Sequence, residues 1–118
     1  MFTSHKVLIV DDEHDICFLL GRMFRKQNYI VAIANTLTDG LAQLIEIKPS
    51  ILFIDVHLPD GSSLDALKNI RKDHPSIKIV VMSANDGAEK KIAIDNGADL
   101  FISKPINKEV INQTLHTI

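Results

Sequence analysis

Five polar or charged residues stand where apolar runs stop. Asp11 and Asp12 follow Val7-Leu8-Ile9-Val10, Asp55 follows Ile51-Leu52-Phe53-Ile54, Ser83 ends the run from Ile77 to Met82, and Lys104 lies just past Leu100-Phe101-Ile102. Three carboxylates held close repel one another, and a hard cation between them relieves the repulsion. Mg2+ takes oxygen ligands, one or two of them protein carboxylates, with water and phosphate oxygens completing the shell. No twelve-residue acidic loop of the calcium-binding kind is present, and no cysteine and histidine cluster has zinc-ligand spacing. A lysine and a hydroxyl beside such a cluster suit a phosphoryl group. Cation and ammonium neutralise its oxygens, and the hydroxyl donates a hydrogen bond. Any one of these residues is equally what begins an ordinary loop. The argument for chemistry rests on the set.

The elements that must gather this set follow from periodicity. Val7 to Val10 predicts a first strand. Asp15 to Gln27 places Ile16, Leu19, Leu20, Met23 and Phe24 at helical spacing, with Asp12 or His14 as the cap. Tyr29 to Ala34 predicts a second strand. Thr36 or Thr38 caps a second helix carrying Leu41, Ala42, Leu44 and Ile45. Gly40 inside that helix costs roughly 1 kcal/mol against alanine. Ile51 to Ile54, four apolar residues in a row, reads as a strand buried on both faces, as in a parallel sheet.

Pro59, Asp60 and Gly61 then supply turn chemistry. Ser62 or Ser63 starts a third helix with Leu64, Leu67 and Ile70, stopped by Pro75. After the fourth strand comes the most polar helix, from about Ala88 to Asn96, with Ile92, Ile94 and a C-cap at Gly97. Leu100 to Ile102 predicts a fifth strand, and Asn107 caps a last helix with Val110, Ile111 and Leu115. Five strand–helix units in series imply an α/β fold: a doubly wound, five-stranded parallel sheet with helices on both faces. The strand ends then share one edge, where open α/β sheets bind ligands.

Composition bounds the function classes. The chain has 118 residues, one domain's worth, with no linker, repeat or low-complexity tract. Thirteen basic against fifteen acidic residues leave a net charge of −2, which gives no electrostatic case for nucleic-acid or membrane binding. No apolar run approaches a membrane span or a signal-peptide core. The one cysteine, Cys17, cannot form an internal disulfide, which points to a reducing, cytoplasmic setting. Cys17 is expected on the solvent face or the packing surface of the first helix. The ending Leu115-His116-Thr117-Ile118 has no polar tail and suits a natural end or a longer parent chain equally.

In order and spacing, Asp11-Asp12, Asp55, Pro59 and Gly61, Ser83-Ala84, Gly97-Ala98 and Lys104-Pro105 resemble the receiver domain of bacterial two-component response regulators, over the whole chain. The resemblance implies a flavodoxin-like, three-layer α/β/α domain with strand order 2-1-3-4-5. It implies that Asp55 is the phosphoacceptor, charged by a sensor histidine kinase or a histidine phosphotransfer protein. Asp12, Asp55 and the backbone carbonyl of His57 would ligate Mg2+, with Asp11 acting mostly through water. Ser83 and Lys104 would each bind a phosphoryl oxygen. The Lys104–Pro105 peptide is expected to be cis. Ser83 and Phe101 match the family's switch pair, though many relatives have tyrosine in place of Phe101. His57 and Asn85 match the positions that tune hydrolysis of the acyl phosphate. Helix four, strand five and helix five would form the surface read by an output domain or partner, with Lys90 and Lys91 on it. The segment from Ser83 to Gly97 is about one residue shorter than the family pattern, which leaves the start of helix four open.

Other readings weigh less. A receiver-fold interaction module without phosphorylation would not need the intact set. An aspartate-nucleophile phosphatase would need a second aspartate two residues past Asp55, where His57 stands. A flavodoxin-like cofactor binder would need a glycine-rich loop after the first strand, which is absent.

Overall fold

The structure is a computed structural model that describes residues 5–85 and 87–117. Met1 to Ser4, Asp86 in the segment before helix four, and the terminal Ile118 lie outside the described residues. Its elements alternate: β1 (Lys6–Val10), α1 (His14–Lys26), β2 (Ile30–Ala34), α2 (Leu37–Ile47), β3 (Ile51–Asp55), α3 (Leu67–Asp73), β4 (Lys78–Ser83), α4 (Gly87–Asp95), β5 (Leu100–Ser103) and α5 (Lys108–Thr117). The five strands form one sheet in the order β2-β1-β3-β4-β5, and every pairing in it is parallel. A two-residue ribbon, His57–Leu58 against Gly61–Ser62, closes the loop after β3.

Strand side chains alternate between faces, and the sequence obeys that alternation on three central strands. Val7 and Ile9, Ile51 and Phe53, and Val80 and Met82 share one core with Cys17, Leu20 and Phe24 of α1 and Ile111 of α5. Leu8 and Val10, Leu52 and Ile54, and Ile79 and Val81 share the other with Leu44 of α2, Leu67 and Ile70 of α3, and Ala93 of α4. Two helices therefore cover one face and three the other. The apolar runs are continuous because both faces are covered, as the parallel-sheet expectation requires.

Several local expectations need correction. Neither Asp12 nor His14 caps α1. Glu13 holds the N-cap position, and its own N–H donates to Asp11 Oδ1 at 2.9 Å. Of the two threonines before α2, Thr36 is the cap, accepting from the Asp39 N–H at 3.1 Å. Thr38 instead donates to Asp60 at 2.7 Å. The third helix is not uniform: a 3-10 turn over Ser63–Ala66, capped by Ser62, precedes α3. Of the two places expected for Cys17, the packing surface of α1 is the one it takes, since it is buried. Ile45, Ile92 and Ile94 are exposed, so periodicity misassigned them to the core. Gly97 does follow α4 with φ 115°, and Asn107 Oδ1 accepts from the Val110 N–H at 2.9 Å at the start of α5.

Gly40 has a packing reason that outweighs helix propensity. A Cβ there would meet Val10 Cγ1 at 2.8 Å and Cγ2 at 2.9 Å. Val10 is β-branched and fully buried, so it cannot swing aside. Alanine at this site would gain about 1 kcal/mol of propensity and lose about 1–3 kcal/mol to overpacking. We expect Gly40→Ala to lower stability in urea unfolding by up to about 2 kcal/mol. The loss should shrink in a Val10→Ala background, because the clash disappears with the two methyls. An equal loss in both backgrounds would place the cost elsewhere.

Candidate functional site

The alternation that builds the core also aims the strand ends. Asp55 continues the Ile51, Phe53 series, and Lys104 continues from Ile102, towards the face covered by α1 and α5. Ser83 continues the Ile79, Val81 series towards the face covered by α4. The loops then bring the ends together. The Asp11 N–H donates to Ala34 O at 3.0 Å, the Val56 N–H to Met82 O at 3.0 Å, and the Lys104 N–H to Ser83 O at 2.8 Å. These bonds carry the parallel ladder past the last strand residues, so the side chains beyond them sit on rigid backbone. The Lys104–Pro105 peptide is cis.

Asp11 and Asp55 are buried, whereas Asp12 is exposed. One oxygen from each of the three lies within 4.8 Å of the others. Lys104 Nζ enters this cluster at 3.1 Å from Asp11 Oδ2 and 3.3 Å from Asp55 Oδ2. Its shortest contact is Glu13 Oε1 at 2.8 Å. Burial raises the Asp55 carboxyl to about 6, and the neighbouring Asp11 charge adds to the rise. Burial also raises Asp11, against the Glu13 N–H and the Lys104 ammonium. For Lys104 burial works the other way, but Glu13, Asp11 and Asp55 outweigh it and carry the ammonium above its usual range. Lys104 is therefore a permanent cation.

The donor set fits a hard divalent ion. All the ligand atoms are oxygens, and four carboxylates face one ammonium. Asp11 Oδ2 is enclosed and accepts no well-directed hydrogen bond, having only the ammonium nearby. An acceptor in that state lacks what a cation or its water would supply. Ser83 Oγ stands on the other side, donating to Glu89 Oε1 at 2.5 Å. His57 Nε2 lies 2.9 Å from Glu89 Oε2 and 3.4 Å from Asn85 Nδ2.

Residues 7–116 match the family model described as the response regulator receiver domain. The chain belongs to the response regulator receiver family. It is 34% identical over 110 residues to the nitrogen assimilation regulatory protein NtrX of Azorhizobium caulinodans, covering 90% of this chain and 24% of that protein. It is 32% identical over 114 residues to the transcriptional regulatory protein KdpE of Staphylococcus aureus, covering 96% of this chain and 49% of KdpE. The chain thus spans half or less of these relatives' length. A receiver domain protein of Methanospirillum hungatei superposes with a TM-score of 0.90 at 26% identity, over 98% of this chain and 93% of that one. A Burkholderia pseudomallei response regulator, solved with a phosphorylated aspartic acid, calcium ion and citrate, superposes with a TM-score of 0.85 at 25% identity, over 95% and 66%. The flavodoxin-like sheet order is the one expected. Among the described residues, no helix is long and apolar enough to cross a membrane.

In this receiver domain Asp11, Asp12, Asp55 and Lys104 meet in one pocket, while Ser83, His57 and Asn85 form a second group around Glu89. Phe101 packs half-buried against the core on the α4 face. Sequence reasoning missed four participants. Glu13 pairs with Lys104. Asn35 Nδ2 holds Asp11 O at 2.9 Å. Ser63 Oγ holds Asp55 O at 2.8 Å. Glu89 engages Ser83. Only Glu13, beside the two aspartates, carried a signal in the sequence.

Because its pKa is raised from 3.8 to about 6, Asp55 is a stability liability near neutrality. The folded chain holds that proton more tightly than the unfolded chain. The group's favourable contribution is complete below pH ~4 and is lost as pH rises through ~6. In metal-free buffer at pH 7.5 we expect Asp55→Asn to be more stable than the native chain by about 1–3 kcal/mol in denaturant unfolding. The difference should narrow as pH falls from 6 to 4, and Mg2+ should narrow it at neutral pH. A variant less stable than the native chain at pH 7.5 would mean that the Lys104 ion pair outweighs burial.

Proposed function

We propose that this receiver domain takes a phosphoryl group onto Asp55 and signals through the face made by α4, β5 and α5. The observation that carries the reading is the buried Asp55 carboxylate at the end of the central strand, between Asp11 and Lys104. A carboxylate held raised in pKa is a better nucleophile than one in water, and it is deprotonated at neutral pH. An Asp55 oxygen bonds to phosphorus as the bond to the donor's leaving group breaks. The leaving group, an imidazole nitrogen of a phosphohistidine donor, takes up a proton from solvent. Asp12, Asp55 and the His57 carbonyl would hold Mg2+, with Asp11 contributing through water, and the ion would neutralise phosphoryl oxygens. Lys104, a fixed ammonium, is within reach of another phosphoryl oxygen, and the Ser83 hydroxyl serves the third.

Partners follow from the family. A histidine kinase or a histidine phosphotransfer protein donates, and an output domain or partner protein reads the result. The phosphorylated aspartic acid of the Burkholderia relative supports the chemistry. The domain is a phosphoacceptor rather than an enzyme, with its own hydrolysis tuned by His57 and Asn85. Phe101 and Ser83 lie on the same sheet face of neighbouring strands, since Phe101 pairs in register with Val81, two residues before Ser83. A shift of Ser83 towards the phosphoryl group therefore opens space beside Phe101.

Incubation with phosphoramidate and Mg2+, read by intact mass, tests this. One phosphoryl adduct is expected on the native chain and none on Asp55→Asn. Asp12→Ala should slow formation by tenfold or more at the same Mg2+, about 1.4 kcal/mol in barrier. No adduct with phosphoramidate or with acetyl phosphate would overturn the reading in favour of an interaction module.

A further inference from the structure

Glu89 lies in the first turn of α4, where no sequence motif placed a functional residue. Its two carboxylate oxygens are divided between two elements of the pocket. Oε1 accepts from Ser83 Oγ at 2.5 Å, and Oε2 lies 2.9 Å from His57 Nε2. Glu89 is four-fifths enclosed there, its side chain 19% exposed. A carboxylate accepts, so the 2.9 Å contact is a hydrogen bond when His57 Nε2 carries the ring proton. In that tautomer the nitrogen has no lone pair for Asn85 Nδ2, 3.4 Å away.

The decisive count concerns Ser83. A hydroxyl has one proton to give. Ser83 gives it to Glu89, and its oxygen accepts from the Asn85 N–H at 3.1 Å. Its donor is therefore spent on the α4 side of the pocket, the side towards which strand alternation directs it.

We infer that Glu89 is a positioning residue that competes with a phosphoryl group at Asp55 for the Ser83 proton, so that phosphorylation must break the tie holding the first turn of α4 to the pocket. The inference rests on the phosphoacceptor reading and adds its coupling to α4. Ser83 can donate to Glu89 or to a phosphoryl oxygen, not to both. A phosphoryl dianion beside Ser83 also repels the Glu89 carboxylate. Both effects have one sign: Glu89 disfavours the phosphorylated state and favours the resting position of α4. No bond is made or broken apart from hydrogen bonds.

Fluoroberyllate, which mimics a phosphoryl group without transfer, is the probe. It is titrated with Mg2+ into the full chain and its variants, with amide spectra reporting both binding and the position of α4. Glu89→Ala should bind fluoroberyllate about tenfold to a hundredfold more tightly than the native chain, the range for loss of one competing hydrogen bond to a charged group. Glu89→Gln, which keeps an acceptor but not the charge, should fall between the two and serves if Glu89→Ala does not fold. Adding Glu89→Ala to Ser83→Ala should tighten binding clearly less than adding it to the native chain, because the contested proton is already gone and only charge repulsion remains. A merely structural Glu89 would lower thermal stability without tightening binding. Unchanged or weaker binding by both variants, with the native chain binding normally, overturns the inference alone. Equal tightening in the Ser83→Ala background also overturns it, in favour of simple charge repulsion. A native chain that binds no fluoroberyllate overturns the phosphoacceptor reading, and this inference with it.

Discussion

The structure depends on keeping like charges close at the end of a hydrophobic sheet. Asp11 and Asp55 are both buried, and in water they would separate. Here they cannot, because each continues a strand whose preceding residues are locked in the core. One ammonium, Lys104, offsets part of the repulsion, and it is shared with Glu13. Isolated charges at such a depth would cost several kcal/mol each, so the cluster persists only because backbone bonds hold it. Asn35 and Cys17 both hold the Asp11 carbonyl, at 2.9 and 3.4 Å, and Ser63 holds that of Asp55. The strain is electrostatic and is stored where a divalent ion would relieve it.

Sheet alternation divides the site into two halves. Asp55, Asp11 and Lys104 form the charged half, while Ser83 and Phe101 belong to the half facing α4. A group bound in the first half reaches the second only through side chains that straddle the edge. Ser83 is placed to do so, since the end of β4 is fastened to Lys104 through its carbonyl while its hydroxyl turns to α4. The loop after β3 is fastened separately. Asp60 accepts from the Leu37 and Thr38 N–H groups and the Thr38 hydroxyl, which holds its carboxyl down near 2. That anchor keeps the loop on α2 and leaves α4 as the freer neighbour of the pocket.

Most of the fold and the charged half of the site were legible in the sequence, for a physical reason. Continuous apolar runs such as Ile51 to Ile54 have one reading in an alternating chain, and the residue that ends each run is fixed in space by it. Asp11, Asp12, Asp55 and Lys104 could therefore be gathered without coordinates. What escaped was set by short polar contacts with no period. Whether Thr36 or Thr38 capped α2 depended on Asp60, 22 residues from Thr38, claiming the other one. Ser63 looked like a helix cap, but its hydroxyl was taken by Asp55 O. Glu89 was invisible because the start of α4 could not be placed to the residue, and one residue is 100° of helix turn. Ile92 and Ile94 misled for the same reason: α4 faces the core with Ala93 alone among its described residues.

That last point bears on which helix can respond. A helix is held by the apolar surface it buries, at roughly 25 cal/mol per Å2. α3 buries Leu67 and Ile70, each contributing about 1.5–3 kcal/mol, whereas α4 buries one methyl group at Ala93. The position of α4 therefore rests on its ends. At the far end, the Ala98 N–H bonds back to Ala93 O at 3.0 Å and Gly97 makes the turn. At the near end, Glu89 reaches Ser83 and His57. With so little core contact to lose, α4 is shifted more readily than α3 by a change of one or two hydrogen bonds at the pocket. The same change acting on α3 would be overruled by its packing. On the proposed reading, weak burial makes α4 the element most easily displaced, and the exposed Ile92 and Ile94 lie on its surface.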